Sequence, residues 1–107
     1  MKKPGGEDET KKPGIPGHYQ HIKQRCPDYL EAVESLGAAT KQSGPIEDRT
    51  AQLIQLAAAA TIQSEGAVHS HVQRGLEAGV TPEEIYHTLI LLTSTIGFPR
   101  VTAAIQL

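Results

Sequence analysis

From Pro27 onward the apolar positions of the chain recur every three or four residues. Leu30, Val33 and Leu36 step by three. That spacing predicts a helix opened by Pro27-Asp28, running to about Thr40 and closed near Ser43-Gly44. Pro45 starts a connection, and Glu47 or Asp48 is placed to cap a second helix over about residues 48–63. This helix carries Leu53, Ile54, Leu56, Ala57–Ala60 and Ile62, and is apolar nearly all round. Such a pattern is expected of a helix buried at a domain or subunit core. Its alanine run lets another helix approach closely. A third helix is predicted over about residues 65–78, with Gly79 where a C-terminal cap needs positive φ. Thr81-Pro82-Glu83-Glu84 is the strongest local signal: Thr81 at N-cap, Pro82 at N1 and Glu84 at N3 make a capping box. The fourth helix then carries Ile85, Leu89, Leu92 and Ile96 on one stripe and runs to about Thr95. Gly97 breaks it, and Phe98-Pro99 opens a short last helix ending near residue 106. Nothing alternates with period two, so the expected class is all-α.

Residues 1–17 are different. They read MKKPGGEDETKKPGIPG, rich in Pro, Gly and charge and almost without apolar residues. Such a segment buries too little surface to offset its ordering entropy, and is expected to form a flexible polar tail before a helical domain spanning 18–107.

The 107 residues fit one compact domain. Only 4% are aromatic and there is no Trp, so the core has to come from Leu, Ile, Val and Ala. Alanine buries little area, which makes homo-oligomerisation an expected source of further burial. The net charge of −2 argues against a nucleic-acid partner, which normally meets a basic excess. No apolar run approaches the roughly 18 residues of a membrane span, so no membrane association is expected. A single cysteine, Cys26, allows neither an internal disulfide nor a CxxC redox pair. A cytoplasmic setting is expected.

The polar residues that stand out lie in Gln63-Ser64-Glu65-Gly66-Ala67-Val68-His69-Ser70-His71. On a helix Ser64, Ala67 and His71 share one stripe. Glu65 and His69, four apart, can meet on another face. His69 and His71 are roughly 200° apart around the helix and cannot share one metal ion, so no zinc site is expected on them; no metal or other cofactor is expected elsewhere. His71 is the leading candidate for proton transfer, since an imidazole titrates near neutrality. Glu65 with His69 forms a second acid–base candidate, and Arg74, three residues after His71, can receive a carboxylate. Gln52 is an amide in a largely apolar helix and calls for a hydrogen-bond partner across helices. Ser64 and Gln52 join Arg74 as candidate substrate contacts. His87, on the face of Leu91 and Ser94, reads as packing or interface, and Tyr86 as interface or core filler. His18, His21 and Arg100 read as surface.

The stretch from about Asp28 to Ile105 resembles the carboxymuconolactone decarboxylase-like family, which includes the alkyl hydroperoxidase D-like proteins. The resemblance is carried by Gly44-Pro45-Ile46, by Arg49-Thr50 before an Ala/Leu-rich helix, by the His-containing helix, by Leu76-Glu77-Ala78-Gly79-Val80-Thr81-Pro82-Glu83-Glu84-Ile85, and by Gly97-Phe98-Pro99. It implies an all-α helical bundle that packs as a trimer or hexamer, with sites near subunit contacts. The peroxidase branch uses a Glu, a CxxC pair and a His. On this chain the Glu position falls on Gln52, the thiols on Ser64 and Ala67, and the His on His71. Only the histidine is kept, and Ser or Ala cannot cycle through a disulfide, so peroxidase chemistry is expected to be lost. The decarboxylase branch also lacks the thiols. The resemblance implies a small-molecule acid–base enzyme of lyase or isomerase type, acting on a carboxylate-bearing lactone or similar ring. The alternative is a non-catalytic helical oligomer that binds a small ligand or partner.

Overall fold

The computed structural model describes residues 17–106, apart from the side chain of His18, and within them the fold is all-helical. The tail expected over residues 1–17 lies outside this range except for Gly17. Backbone contacts divide the chain between Gly44 and Pro45 into two compact units.

The first unit holds α1 (Gly17–Arg25) and α2 (Pro27–Lys41). The apolar pattern did not predict α1. Its sequence, Gly-His-Tyr-Gln-His-Ile-Lys-Gln-Arg, is polar on every side and shows no stripe. One residue separates the helices: the Cys26 N–H still bonds to the Ile22 carbonyl at 2.7 Å, and Pro27 opens α2 at N1. The Tyr19 hydroxyl donates to the Glu34 carboxylate, joining the two helices. Of the predicted α2 stripe, Leu30 alone is buried, while Val33 and Leu36 are exposed.

The second unit contains α3 (Asp48–Thr61), α4 (Glu65–Glu77), α5 (Pro82–Leu91), α6 (Thr93–Ile96) and α7 (Phe98–Ile105). Its core is aliphatic. Leu56, Ala59, Ala60, Val68, Leu89 and Ala104 are buried together, with Ala67, Val72, Ile85, Leu92 and Ile105 against them. Three of the six are alanines on α3 and α7, where a methyl group lets backbones come close. The all-round apolar character of α3 does not translate into all-round burial within one chain, because Ile54 and Ile62 face outward. The predicted fourth helix is interrupted at Leu92. There the Leu92 N–H bonds to Leu89 O, one residue short of an α-helical step, and Thr95 N–H returns to Leu92 O. The Thr93 hydroxyl also bonds the Ile90 carbonyl. These short-range bonds divide the segment into α5 and α6.

The capping box forms as the sequence predicts. The Thr81 hydroxyl accepts from the Glu84 N–H at 3.1 Å, and the Glu84 carboxylate accepts from the Thr81 N–H at 2.9 Å. Glu47 takes the N-cap position of α3, but its side chain makes no capping bond.

Candidate functional site

The link between α3 and α4 is three residues long, and its backbone geometry fixes what lies across from what. The Gln63 N–H bonds to Ala60 O and the Ser64 N–H to Ala59 O. This paired pattern closes a helix C-terminus, with Gln63 at the left-handed position, φ 59°. Ser64 then starts α4: its hydroxyl accepts from the Ala67 N–H at 3.4 Å. One residue therefore ends α3 and caps α4. The chain turns back at once and the two helices pack side by side. Gly75 shows how close they come, since a methyl group added there would stand 3.8 Å from Cβ of Gln52.

Across this hairpin, Gln52 of α3 meets His71 of α4, and Oε1 of Gln52 lies 2.9 Å from Nδ1 of His71. Gln52 is 1% exposed, a burial that an amide tolerates only when it is hydrogen-bonded. Its other end is used too: Nε2 donates to Oδ1 of Asp48, one turn earlier on α3, at 3.3 Å. His71 is half-buried. An apolar helix thus carries a buried amide that bonds to a histidine at one end and a carboxylate at the other.

The first turn of α3 is tied down from another side. The Arg49 guanidinium bonds both oxygens of the Glu84 carboxylate, joining the start of α3 to the start of α5. The bond to Glu84, followed by its charge, raises the Arg49 pKa above its ordinary value. The bond from Arg49, followed by that from the Thr81 N–H, holds the Glu84 carboxyl below its ordinary range.

The other sequence candidates are not gathered around His71. Ser64 is half-buried and occupied as a cap, two turns or about 10 Å along the axis from His71. Glu65 and His69 are exposed, and no hydrogen bond or ion pair joins them. Arg74 is exposed on the last turns of α4. His21 and Arg100 are exposed as expected, and Tyr86 and His87 are exposed too, so neither fills the core of one chain. Two polar residues of α3 escaped the sequence reading. Asp48 was weighed there only as a cap, although its spacing of four from Gln52 was visible. Gln55 lies one turn beyond Gln52, and its Oε1 is buried with no hydrogen-bond partner among the described residues. Its signal was a second amide in an alanine-rich helix. Among the described residues no three His, Cys, Asp or Glu side chains come together as a metal site would need.

Fold and site together define an all-helical protein with a histidine at a tight helical hairpin and no thiol pair beside it. A model of the carboxymuconolactone decarboxylase family matches residues 27–107, and the chain belongs to that family. It is similar to an uncharacterized protein of Methanocaldococcus jannaschii, with 29% identity over 85 residues, covering 79% of this chain and 79% of that protein. No solved structure matches. No helix among the described residues is long and apolar enough to cross a membrane.

Proposed function

We propose that the protein is a small-molecule acid–base enzyme of lyase or isomerase type, with His71 as its proton-transfer residue and a carboxylate-bearing lactone or similar ring as substrate. The observation that carries this reading is the 2.9 Å bond between buried Gln52 and half-buried His71. A general acid or base has to be held in one orientation within reach of solvent-borne substrate, and an anchored, partly exposed imidazole meets both needs.

Loss of carbon dioxide from a carboxylated lactone breaks the bond from ring carbon to carboxylate. The electron pair stays on the ring and spreads onto the lactone carbonyl. A proton then has to replace the lost group. His71 supplies it as imidazolium and regains it from water. Gln52 accepts a hydrogen bond from the ring in either charge state, so the imidazole need not turn during the cycle. Arg74, three residues on, receives the substrate carboxylate as a charged partner. Glu65 and His69 lie on other faces of α4, which is continuous from Glu65 to Glu77, and Ser64, on the stripe of His71, is about two turns away as the N-cap. A bend in the helix does not bring them to His71, so their part in the site requires a subunit contact. The reading accordingly includes a homo-oligomer, a trimer or hexamer by family likeness, and a cytoplasmic setting.

The test is release of carbon dioxide from carboxymuconolactone by wild type and by His71→Ala, beside circular dichroism. Loss of a general acid–base group costs about 10²–10⁴ in rate, and that loss is expected with helicity intact. A His71→Ala protein that unfolds, or that turns over unchanged, makes His71 a structural histidine.

A further inference from the structure

The bond between Gln52 and His71 is not symmetric, and what makes it so is Asp48. An amide side chain has an acceptor end and a donor end, and His71 would satisfy either. In one arrangement Gln52 Oε1 faces the ring, and Nδ1 must carry the hydrogen. In the other the amide nitrogen faces the ring, and Nδ1 must be bare. Burial at 1% exposure shuts out water that would otherwise even out the two. The group at the far end of the amide then bears on the choice. Oδ1 of Asp48 stands there, 3.3 Å from Nε2 of Gln52. An ionised carboxylate only accepts, so it draws the donor end to itself and turns the acceptor end to the imidazole.

We infer that Asp48 is a positioning residue which, through Gln52, sets the tautomer of His71, so that Nδ1 bears the hydrogen and Nε2 is the nitrogen that exchanges protons with substrate. This deepens the proposed function and rests on His71 being the proton-transfer residue. Asp48 sets the tautomer without touching substrate. Its place on the first turn of α3 is held by the neighbouring Arg49, whose guanidinium grips Glu84 of α5.

The tautomer is read directly by nitrogen NMR of the full-length protein labelled at histidine, at a pH where the ring is neutral. Wild type is expected to show His71 hydrogen on Nδ1 and a bare Nε2. Asp48→Ala removes the acceptor, and a mixture of tautomers or the Nε2–H form is expected. Asp48→Asn keeps a carbonyl oxygen for the Gln52 amide and is expected to restore much of the wild-type signal. A residue that merely stabilises the first turn of α3 would lower the melting temperature in Asp48→Ala and leave the tautomer as it was. That result overturns the inference, as does a wild-type ring with its hydrogen on Nε2. In turnover, Asp48→Ala is expected to lower kcat about tenfold or more with KM little changed. The NMR readout needs no substrate, so the two ideas fail separately. A correct tautomer with an active His71→Ala protein sinks the proposed function alone. A wild-type tautomer in Asp48→Ala beside an inactive His71→Ala protein sinks the role of Asp48 alone.

Discussion

Gln63 sits at φ 59°, where a side chain crowds the backbone and glycine does not. Gly79 holds the equivalent position after α4, at φ 95°. There too the closing bonds are paired, Gly79 N–H to Leu76 O and Val80 N–H to Gly75 O. Two helices thus end in the same way, one with the favoured residue and one without. Gln63→Gly is expected to stabilise the protein by about 0.5–1 kcal/mol, and Gly79→Ala, at a positive φ, to destabilise it by more than about 1 kcal/mol. Thermal melts of both variants check this. At this scale the sequence was uneven as a guide. A glycine at a helix end announces its backbone, so Gly79 could be read in advance. A glutamine does not, and Gln63 takes the left-handed form where its own N–H closes onto Ala60 O and that of Ser64 onto Ala59 O.

Between elements, the pairing of Arg49 with Glu84 ties the first turn of α3 to that of α5. The Glu84 pKa is lowered on folding. Its contribution to stability is therefore full above the ordinary glutamate pKa of about 4.3 and is lost as pH falls through the lower, folded value. The raised Arg49 pKa lies on the basic side and adds nothing to this acid limb. Glu84→Gln keeps an acceptor for the capping box but loses the charge. Its urea midpoint is expected to lie below that of wild type at pH 7 and to fall less steeply below about pH 4. The capping box was legible because its members lie within four residues. The grip of Arg49 was not, since the partners are 35 residues apart and no local pattern joins them. The same reasoning covers the site. Asp48 and Gln52 share a face by spacing alone, whereas the meeting of Gln52 with His71 follows from how two helices fold back. Each residue stood out in the sequence, and the cross-helix partner expected for Gln52 is His71. The break at Leu92 and the helix α1 escaped because periodicity reports apolar stripes, and neither feature is made of one.

Across the whole molecule, a single chain leaves much of its apolar surface uncovered. Ile54, Ile62, Tyr86, Leu91 and Phe98 are each more than half exposed, and Tyr29 and Leu36 lie bare on α2. Alanine supplies half of the six-residue core cluster, so burial per residue is small. Association is the expected remedy, and light scattering at micromolar concentration should give a mass several times that of one chain. A monomer would contradict the assembly and also the subunit contact on which Ser64, Glu65 and His69 depend. The three-residue turn between α3 and α4 has a further consequence, for the order in which the chain folds. Gln52 and His71 are only 19 positions apart, and closing so short a loop costs little chain entropy. The hairpin can therefore form while α5 and α7 are still finding their places, with Leu56 and Val68 condensing as its nucleus. The histidine and its anchoring amide would then be assembled among the earliest contacts of the protein.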